Sequence, residues 1–289
     1  MATPDRPLRI ALPNKGGLAE PASAMLREAG YRQRTDSREL TLTDTDNGVE
    51  FFYLRPRDIA TYVGSGELDL GITGRDLLLD SGATAVEVLA LGFGGSTFRF
   101  AARPGSVEKI GDLAGQRVAT SYAGLVERHL ADHGVTARVI RLDGAVETAV
   151  KLGVADVIAD VVSTGATLRQ AGLEIVGEPI LRSEAIVIGG DGTDVVTSPA
   201  ATQLLRRLQG VLVAQRYVML AYDVPVEVLE AATALTPGIE SPTVSPLQRE
   251  GWVAVQAMVP TRDTNRIMDE LYDLGARGIL VTSIHACRL

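Results

Sequence analysis

The stretch from Asp143 to Leu168, DGAVETAVKLGVADVIADVVSTGATL, constrains this chain more than any other. Its second half reads as a buried strand over Val154 to Asp160, then a short polar loop, then a helix from about Ala166. Ser163, Thr164, Gly165, Ala166 and Thr167 carry small side chains, so successive backbone N–H groups can converge on a phosphate at a helix N-terminus while hydroxyls add donors. Glycine at 165 lets the backbone approach a ligand closely. Asp160, at the carboxyl end of the strand, does not suit phosphate, but its lone pairs suit the vicinal hydroxyls of a ribose. Phosphate plus diol describes a 5-phosphoribosyl group. Taken alone, D-x-x-x-T-G-x-T favours a plain strand-to-helix connection, so the rest of the chain has to decide.

A chain of 289 residues with 46% apolar content can build two or three domains, each with its own core, and is excluded from the disordered class. The one cysteine, Cys287, forms no internal disulfide, and no cysteine and histidine cluster stands at zinc spacing. His129 and His133 lie four apart on an expected helix. Their flanks, Glu127, Arg128 and Asp132, read as a solvated face rather than a metal site. The start lacks the long apolar stretch of a signal peptide and no run approaches a membrane span, so a soluble, cytoplasmic protein is expected. A net charge of −8 argues against nucleic-acid binding and gives anionic substrates an unfavourable global field. Any site for them must be locally basic, and the candidates are Lys15, Arg38, Arg55, Arg57 and Arg75.

Residues 8 to 12 form an expected strand that leads through Pro13-Asn14-Lys15-Gly16-Gly17 into a helix ending at Gly30, which puts Lys15 where open α/β sheets bind ligands. Strands at 40 to 42 and 49 to 54 flank a polar turn, and Arg55-Pro56-Arg57-Asp58 opens a helix ending at Gly64; Arg55, directly after a strand, is the better ligand candidate of the two arginines. SGELDLGITGRDLL, residues 65 to 78, echoes the organising stretch: GELDLGI aligns with GVADVIA, pairing Asp69 with Asp156, and 8 to 30 has a counterpart at 117 to 134. Two similar α/β lobes are implied. The glycines at 92, 94 and 95 lack the final glycine of a nucleotide fingerprint and read as a crossover. The expected fold is α/β, a two-lobed, periplasmic-binding-protein-like unit with lobe I over 1–92 and 184–210 and lobe II over 93–183. From Val211 the order becomes strand (211 to 222), helix (225 to 234), strand (239 to 245), strand (252 to 259), helix (263 to 275), strand (278 to 285). That is a βαββαβ, ferredoxin-like or ACT-like domain over 211–289.

Glu147, Gly153, Ala155, Ile158, Asp160, Val161, Thr164, Gly165, Thr167 and Leu168 fall at the spacing that marks the ATP phosphoribosyltransferases, the first enzymes of histidine biosynthesis. With LRIALPNKGGL near the start, the chain resembles the long form of that family over nearly its whole length. The resemblance implies transfer of 5-phosphoribosyl from phosphoribosyl pyrophosphate to N1 of ATP with release of pyrophosphate. It also implies Mg²⁺ held mainly by substrate phosphates, feedback inhibition by histidine, and a homo-oligomer between dimer and hexamer. By the same match Glu147, Asp160 and the 163–167 loop hold the ribose phosphate, Lys15, Arg38 and Arg55 act on the pyrophosphate or ATP phosphates, and Gly74, Asp76 and Ser96 contact the nucleotide. Asp223, Ser241 and Thr243 would hold histidine, although Asp223 before Val224-Pro225 also suits a helix cap. Two departures from the family stand out: Ala159 precedes Asp160 where many phosphoribosyltransferases carry a second acid, and Gly17 stands where short-form relatives often have arginine. The rival readings are a two-lobed sensor with an amino-acid-binding domain and an ACT-regulated dehydratase.

Overall fold

The computed structural model describes residues 6–162, 165–191 and 198–288, so Ser163 and Thr164 of the expected phosphate loop lie outside the described residues. The chain divides into two compact units, one of residues up to Arg27 with Tyr31–Gln203 and one of Glu28–Gly30 with Leu204–Leu289. In chain order the first contains β1 (Leu8–Pro13), α1 (Ala19–Glu28), β2 (Thr41–Asp44), β3 (Val49–Leu54), α2 (Pro56–Gly64), β4 (Leu70–Gly74), α3 (Arg75–Ser81) and β5 (Ala85–Ala90). It continues with β6 (Ser96–Ala102), β7 (Arg117–Thr120), α4 (Ala123–Asp132), β8 (Arg138–Arg141), α5 (Glu147–Lys151), β9 (Val157–Val162), α6 (Ala166–Gln170), β10 (Glu174–Ser183) and β11 (Ala185–Gly190). Two mixed sheets result, ordered β2-β3-β1-β4-β11-β5 and β10-β6-β9-β7-β8, one per lobe.

Local sequence explains these elements. In β3 the residues Val49, Phe51 and Tyr53 are buried and their alternates less so, the period-two pattern of a strand. Pro56 opens α2 at a position whose N–H would be unpaired anyway, and Ile59, Ala60 and Val63 put one face of that helix against the sheet. Where α2 crosses β4 only hydrogen fits: a Cβ on Gly71 would stand 2.5 Å from Ile59 Cγ2. Burying Ile59 and Val63 there contributes about 1.5–3 kcal/mol each.

The internal repeat survives at the level of single hydrogen bonds. Asp69 donates its N–H to Arg9 O (2.9 Å) and accepts Arg9 N–H on its carboxylate (2.8 Å). In the second lobe Asp156 donates to Arg117 O (2.9 Å) and accepts Arg117 N–H (3.0 Å). Each aspartate thus starts the pairing of parallel strands, Ile10 with Leu70 in one lobe and Val118 with Val157 in the other.

The chain crosses between sheets at 91–95, where Gly92 and Gly94 adopt positive φ, and returns at Glu184. Arg75 ties both crossings to the first sheet. It grips Glu87 through Nε (2.8 Å) and Nη2 (2.7 Å) and reaches Glu184 (3.2 Å), whose other oxygen accepts Gly92 N–H (3.0 Å). Chiefly through Glu87, this network raises the Arg75 pKa and lowers that of Glu87.

The strand expected from Val211 starts only at Tyr217, because residues 211–216 belong to the helix α7 (Pro199–Arg216). Val211-Leu212-Val213 resembles a strand by composition, but Leu204, Leu208, Val211 and Leu212 are buried at helical spacing, and that period wins. The second unit then runs β12 (Tyr217–Pro225), α8 (Leu229–Leu235), β13 (Thr243–Pro246), β14 (Trp252–Pro260), α9 (Thr264–Asp273) and β15 (Arg277–Ser283). Its sheet is antiparallel in the order β13-β14-β12-β15, the ferredoxin-like arrangement. Leu220, Tyr222, Val224, Val255 and Val259 pack beneath Ala232, Ile267 and Leu271 of the two helices. The strand expected over 239 to 245 shrinks to β13, because Pro237, Gly238 at positive φ, and Pro242 keep the preceding residues out of the ladder.

Candidate active site

The parallel strands of both lobes end at one cleft. Lys15 follows β1, Arg55 follows β3 directly, and Arg57 lies in the first turn of α2; from the second lobe Ser121 follows β7, and Asp143 and Gly144 follow β8. These residues line a cavity of about 580 Å³. Three cations of the first lobe therefore converge at strand carboxyl ends in a chain whose net charge is −8. The loop opposite is strained, since Ala145 (φ +47°) is the one non-glycine residue at positive φ among the described residues. Beside Lys15, the amide of Asn14 buries an Oδ1 that has no donor.

Two of the expected cations are committed elsewhere. Arg38 is 89% exposed and paired with Asp36 (2.7 Å) on its own loop. Arg75 is consumed at the crossovers, as described above. Neither lines the cleft. Sequence favours Lys15 and Arg55 by their places after strands but cannot exclude these two, because the distinguishing fact is a carboxylate two residues away in one case and 12 and 109 residues away in the other.

Asp76 is buried at the start of α3; its N–H donates to Ser183 Oγ (3.0 Å) and its Oδ1 accepts Leu77 N–H (2.9 Å). Gly74 gives that carboxylate its room, since a Cβ at 74 would collide with Asp76 Oδ1. Ser96 is brought close to this group from the other lobe: it is the register partner of Ser183 and lines a cavity of about 450 Å³ with it.

Asp160 falls two residues before the end of β9, because that strand ends two residues later than expected, at Val162. Burial pushes its carboxyl above the ordinary value, the Val161 N–H (2.8 Å) pulls it down, Glu147 adds to the rise and Arg57 opposes it. Asp160, Glu147 and a cleft arginine are thus electrostatic neighbours. Gly165 takes the left-handed conformation (φ +68°) at the head of α6, a turn that a side chain would strain. Glu147 and Thr167 line a cavity of about 700 Å³ with Arg103, Lys151 and Gln170, next to Ala166.

Tyr122, just before α4, is the group that sequence reading missed. Its ring meets Phe98 edge-on at 5.1 Å and carries the Arg57 guanidinium 4.5 Å over its centroid. Burial, then the charge of Asp76, with Asp160 and Asp80 behind it, drives its pKa well above the usual value, so the hydroxyl stays protonated. Its position after β7, equivalent by repeat to the Asn14-Lys15 loop after β1, was the available signal.

In the second unit Asp223 is not a helix cap. It lies within β12 between Ala254 and Arg277, and the helical turns that follow start from Pro225 and Val228 without side-chain caps. Thr243 occupies the neighbouring row of the same face, opposite Gln256, which pairs on its other side with Ala221, while Ser241 is exposed in the preceding loop. Asp223 and Thr243 thus share the face of the sheet opposite the helices.

Comparison with known proteins converges on one family. A family model described as ATP phosphoribosyltransferase matches residues 55–210, and a model of that family's C-terminal domain matches residues 214–286. An ATP phosphoribosyltransferase of Streptomyces avermitilis is 66% identical over 284 residues, covering 98% of this chain and all of the relative; one of Salinispora tropica is 67% identical over 282 residues, with the same shares. Among solved structures, the ATP phosphoribosyl transferase (HisG:HisZ) complex from Thermotoga maritima matches 70% of this chain and 96% of its own, with 26% identity and a TM-score of 0.60.

Proposed function

Because this chain belongs to the ATP phosphoribosyltransferase family, we propose that it transfers the 5-phosphoribosyl group of phosphoribosyl pyrophosphate to N1 of ATP in the cleft between its lobes. The observation that carries this reading is the convergence of Lys15 and Arg55, from the carboxyl ends of β1 and β3, on one cavity of an acidic chain. The bond from C1 of the ribose to the pyrophosphate oxygen breaks as the bond from N1 to C1 forms. N1 is already a neutral nucleophile at pH 7 and needs no activating base, so catalysis reduces to positioning two anions and stabilising the charge that develops as pyrophosphate leaves. Lys15 and Arg55 supply that stabilisation, Asp160 with Glu147 receives the ribose hydroxyls, and the loop reaching Thr167 receives the 5-phosphate. Asp76 and Ser96 face the nucleotide.

Mg²⁺ keeps much of its water and binds through one or two carboxylates plus substrate phosphates. Asp160 and Glu147 fit that pattern as hard oxygen donors close enough to influence each other, and no cluster of three or more such ligands occurs among the described residues. When bound, the ion would neutralise charge on the departing pyrophosphate. We assign regulation to the second unit, with histidine held by Asp223, Thr243 and Ser241, and assembly to a homo-oligomer.

Pyrophosphate release that requires both ATP and phosphoribosyl pyrophosphate tests the reaction. Release from one substrate alone, or none from the pair with Mg²⁺, rejects it. Histidine titrated into the same assay should inhibit, and Asp223→Ala should abolish that inhibition; inhibition of the variant at wild-type concentrations would place the effector elsewhere.

A further inference from the structure

Arg57 lines the cleft, yet its guanidinium is already engaged. Nη1 donates to Asp80 Oδ2 (3.1 Å) within the first lobe, and the planar group covers Tyr122 of the second. The other oxygen of Asp80 accepts Leu125 N–H (3.2 Å) from the first turn of α4, so one carboxylate holds both Arg57 and a helix of the opposite lobe. Asp80 is only 10% exposed, which makes its charge costly to leave unpaired. Tyr122 in turn is fixed from its edge by Phe98. Arg57, Asp80, Tyr122 and Leu125 therefore form a clasp from lobe to lobe beside the cavity.

We propose that Arg57 is a positioning residue for the transfer reaction: through Asp80 and Tyr122 it holds the two lobes at the separation the substrates need, and leaves pyrophosphate to Lys15 and Arg55. The proposal rests on the reading that the cleft is the active site. A clasp and a phosphate ligand differ kinetically. Loosening the clasp lowers the fraction of molecules in the competent arrangement, and apparent affinity falls by that fraction for every ligand that needs it. Removing a ligand of the leaving group lowers kcat instead.

The test uses the full chain with Arg57→Met, Arg57→Lys, Asp80→Asn, the double variant Arg57→Met/Asp80→Asn, and Arg55→Ala. Arg57→Met should raise KM for ATP and for phosphoribosyl pyrophosphate by a common factor of about 5- to 30-fold, with kcat within about 2-fold of wild type. Arg57→Lys, which keeps the pair with Asp80, should recover part of the loss, and the double variant should be no worse than Arg57→Met. A fall in kcat, or a KM change for one substrate alone, would make Arg57 a substrate ligand and overturn the proposal. A lower melting temperature with wild-type KM would reduce the clasp to structure and also overturn it. If Arg57→Met does not fold, Asp80→Asn carries the same measurement. Arg55→Ala separates the two levels: wild-type turnover in that variant rejects the cleft as the active site, whereas lost turnover beside an Arg57→Met variant of unchanged KM rejects the clasp alone.

Discussion

Gly124, in the first turn of α4, faces the end of α3 across the lobe boundary, and Gly124→Ala tests how closely the lobes must approach. A Cβ there would stand 2.5 Å from the backbone oxygen of Asp80, and 3.5 Å from its carbonyl carbon and its Oδ1. Backbone cannot swing aside as a side-chain end can, so relief to an ordinary contact of 3.4 Å needs α4 to retreat by about 0.9 Å. The same retreat stretches the 3.2 Å bond from Leu125 N–H to Asp80 beyond hydrogen-bond length. Overpacking of this kind costs about 1–3 kcal/mol, against a gain of at most about 1 kcal/mol from replacing glycine in a helix. With that gain taken in full, the net loss is up to about 2 kcal/mol, which corresponds to a melting point lower by up to about 8 °C in a unit of this size. Because the strain falls on the lobe boundary, KM for both substrates should rise as well. Thermal unfolding followed by circular dichroism, with steady-state kinetics on the same sample, reads both. A variant that melts within 1 °C of wild type with unchanged KM would show that the lobes adjust freely there, and the reasoning from the contact would fail.

Asp160→Asn should lower turnover yet stabilise the fold near neutral pH. Burial raises the folded pKa of this carboxyl, so its contribution is favourable below the unfolded value and is lost as pH rises through the folded one; a denaturation midpoint at pH 7 below that of wild type would contradict this. His129 behaves in the opposite sense. Burial, then the neighbouring His133 with its ring centroid 4.4 Å away, lowers its pKa, so the stability it allows is full above about pH 6.5 and is lost as pH falls through the folded value. His129→Gln should flatten that acid-side loss between about pH 6.5 and 5, and an unchanged pH profile of the denaturation midpoint would reject the assignment.

How much of this was legible in the sequence follows from the range of each interaction. The strand-loop-helix units, the repeat that pairs Asp69 with Asp156, and the βαββαβ order of the second unit rest on local periodicity and glycine placement, so they read directly. The end of α7 did not, because Val211-Leu212-Val213 satisfies both periods and only burial of Leu204 and Leu208 on the same face decides between them. Asp223 showed the same ambiguity in polar form: before Val224-Pro225 it imitates a cap, and only pairing with Ala254 and Arg277 makes it a strand residue.

Charge at the cleft was the hardest part. Of the five candidate cations sequence could favour only Lys15 and Arg55, by their places after strands, and the fold sorts the rest by where carboxylates arrive: Asp36 takes Arg38, Glu87 and Glu184 take Arg75, and Asp80 takes Arg57. Lys15 and Arg55 line the cavity at the ends of β1 and β3. An acidic chain can bind polyanions on these terms, because surplus carboxylates do not repel the substrates uniformly when several are spent fixing arginines at hinge and clasp. The global field still opposes approach from a distance, while the local field of strand-end cations governs what happens inside the cleft. Added salt should therefore weaken the long-range repulsion more than it weakens the short contacts within the cavity. The consequence is a shallow salt dependence of kcat/KM for phosphoribosyl pyrophosphate, unlike the steep decline of a protein that attracts its anionic ligand by net positive charge.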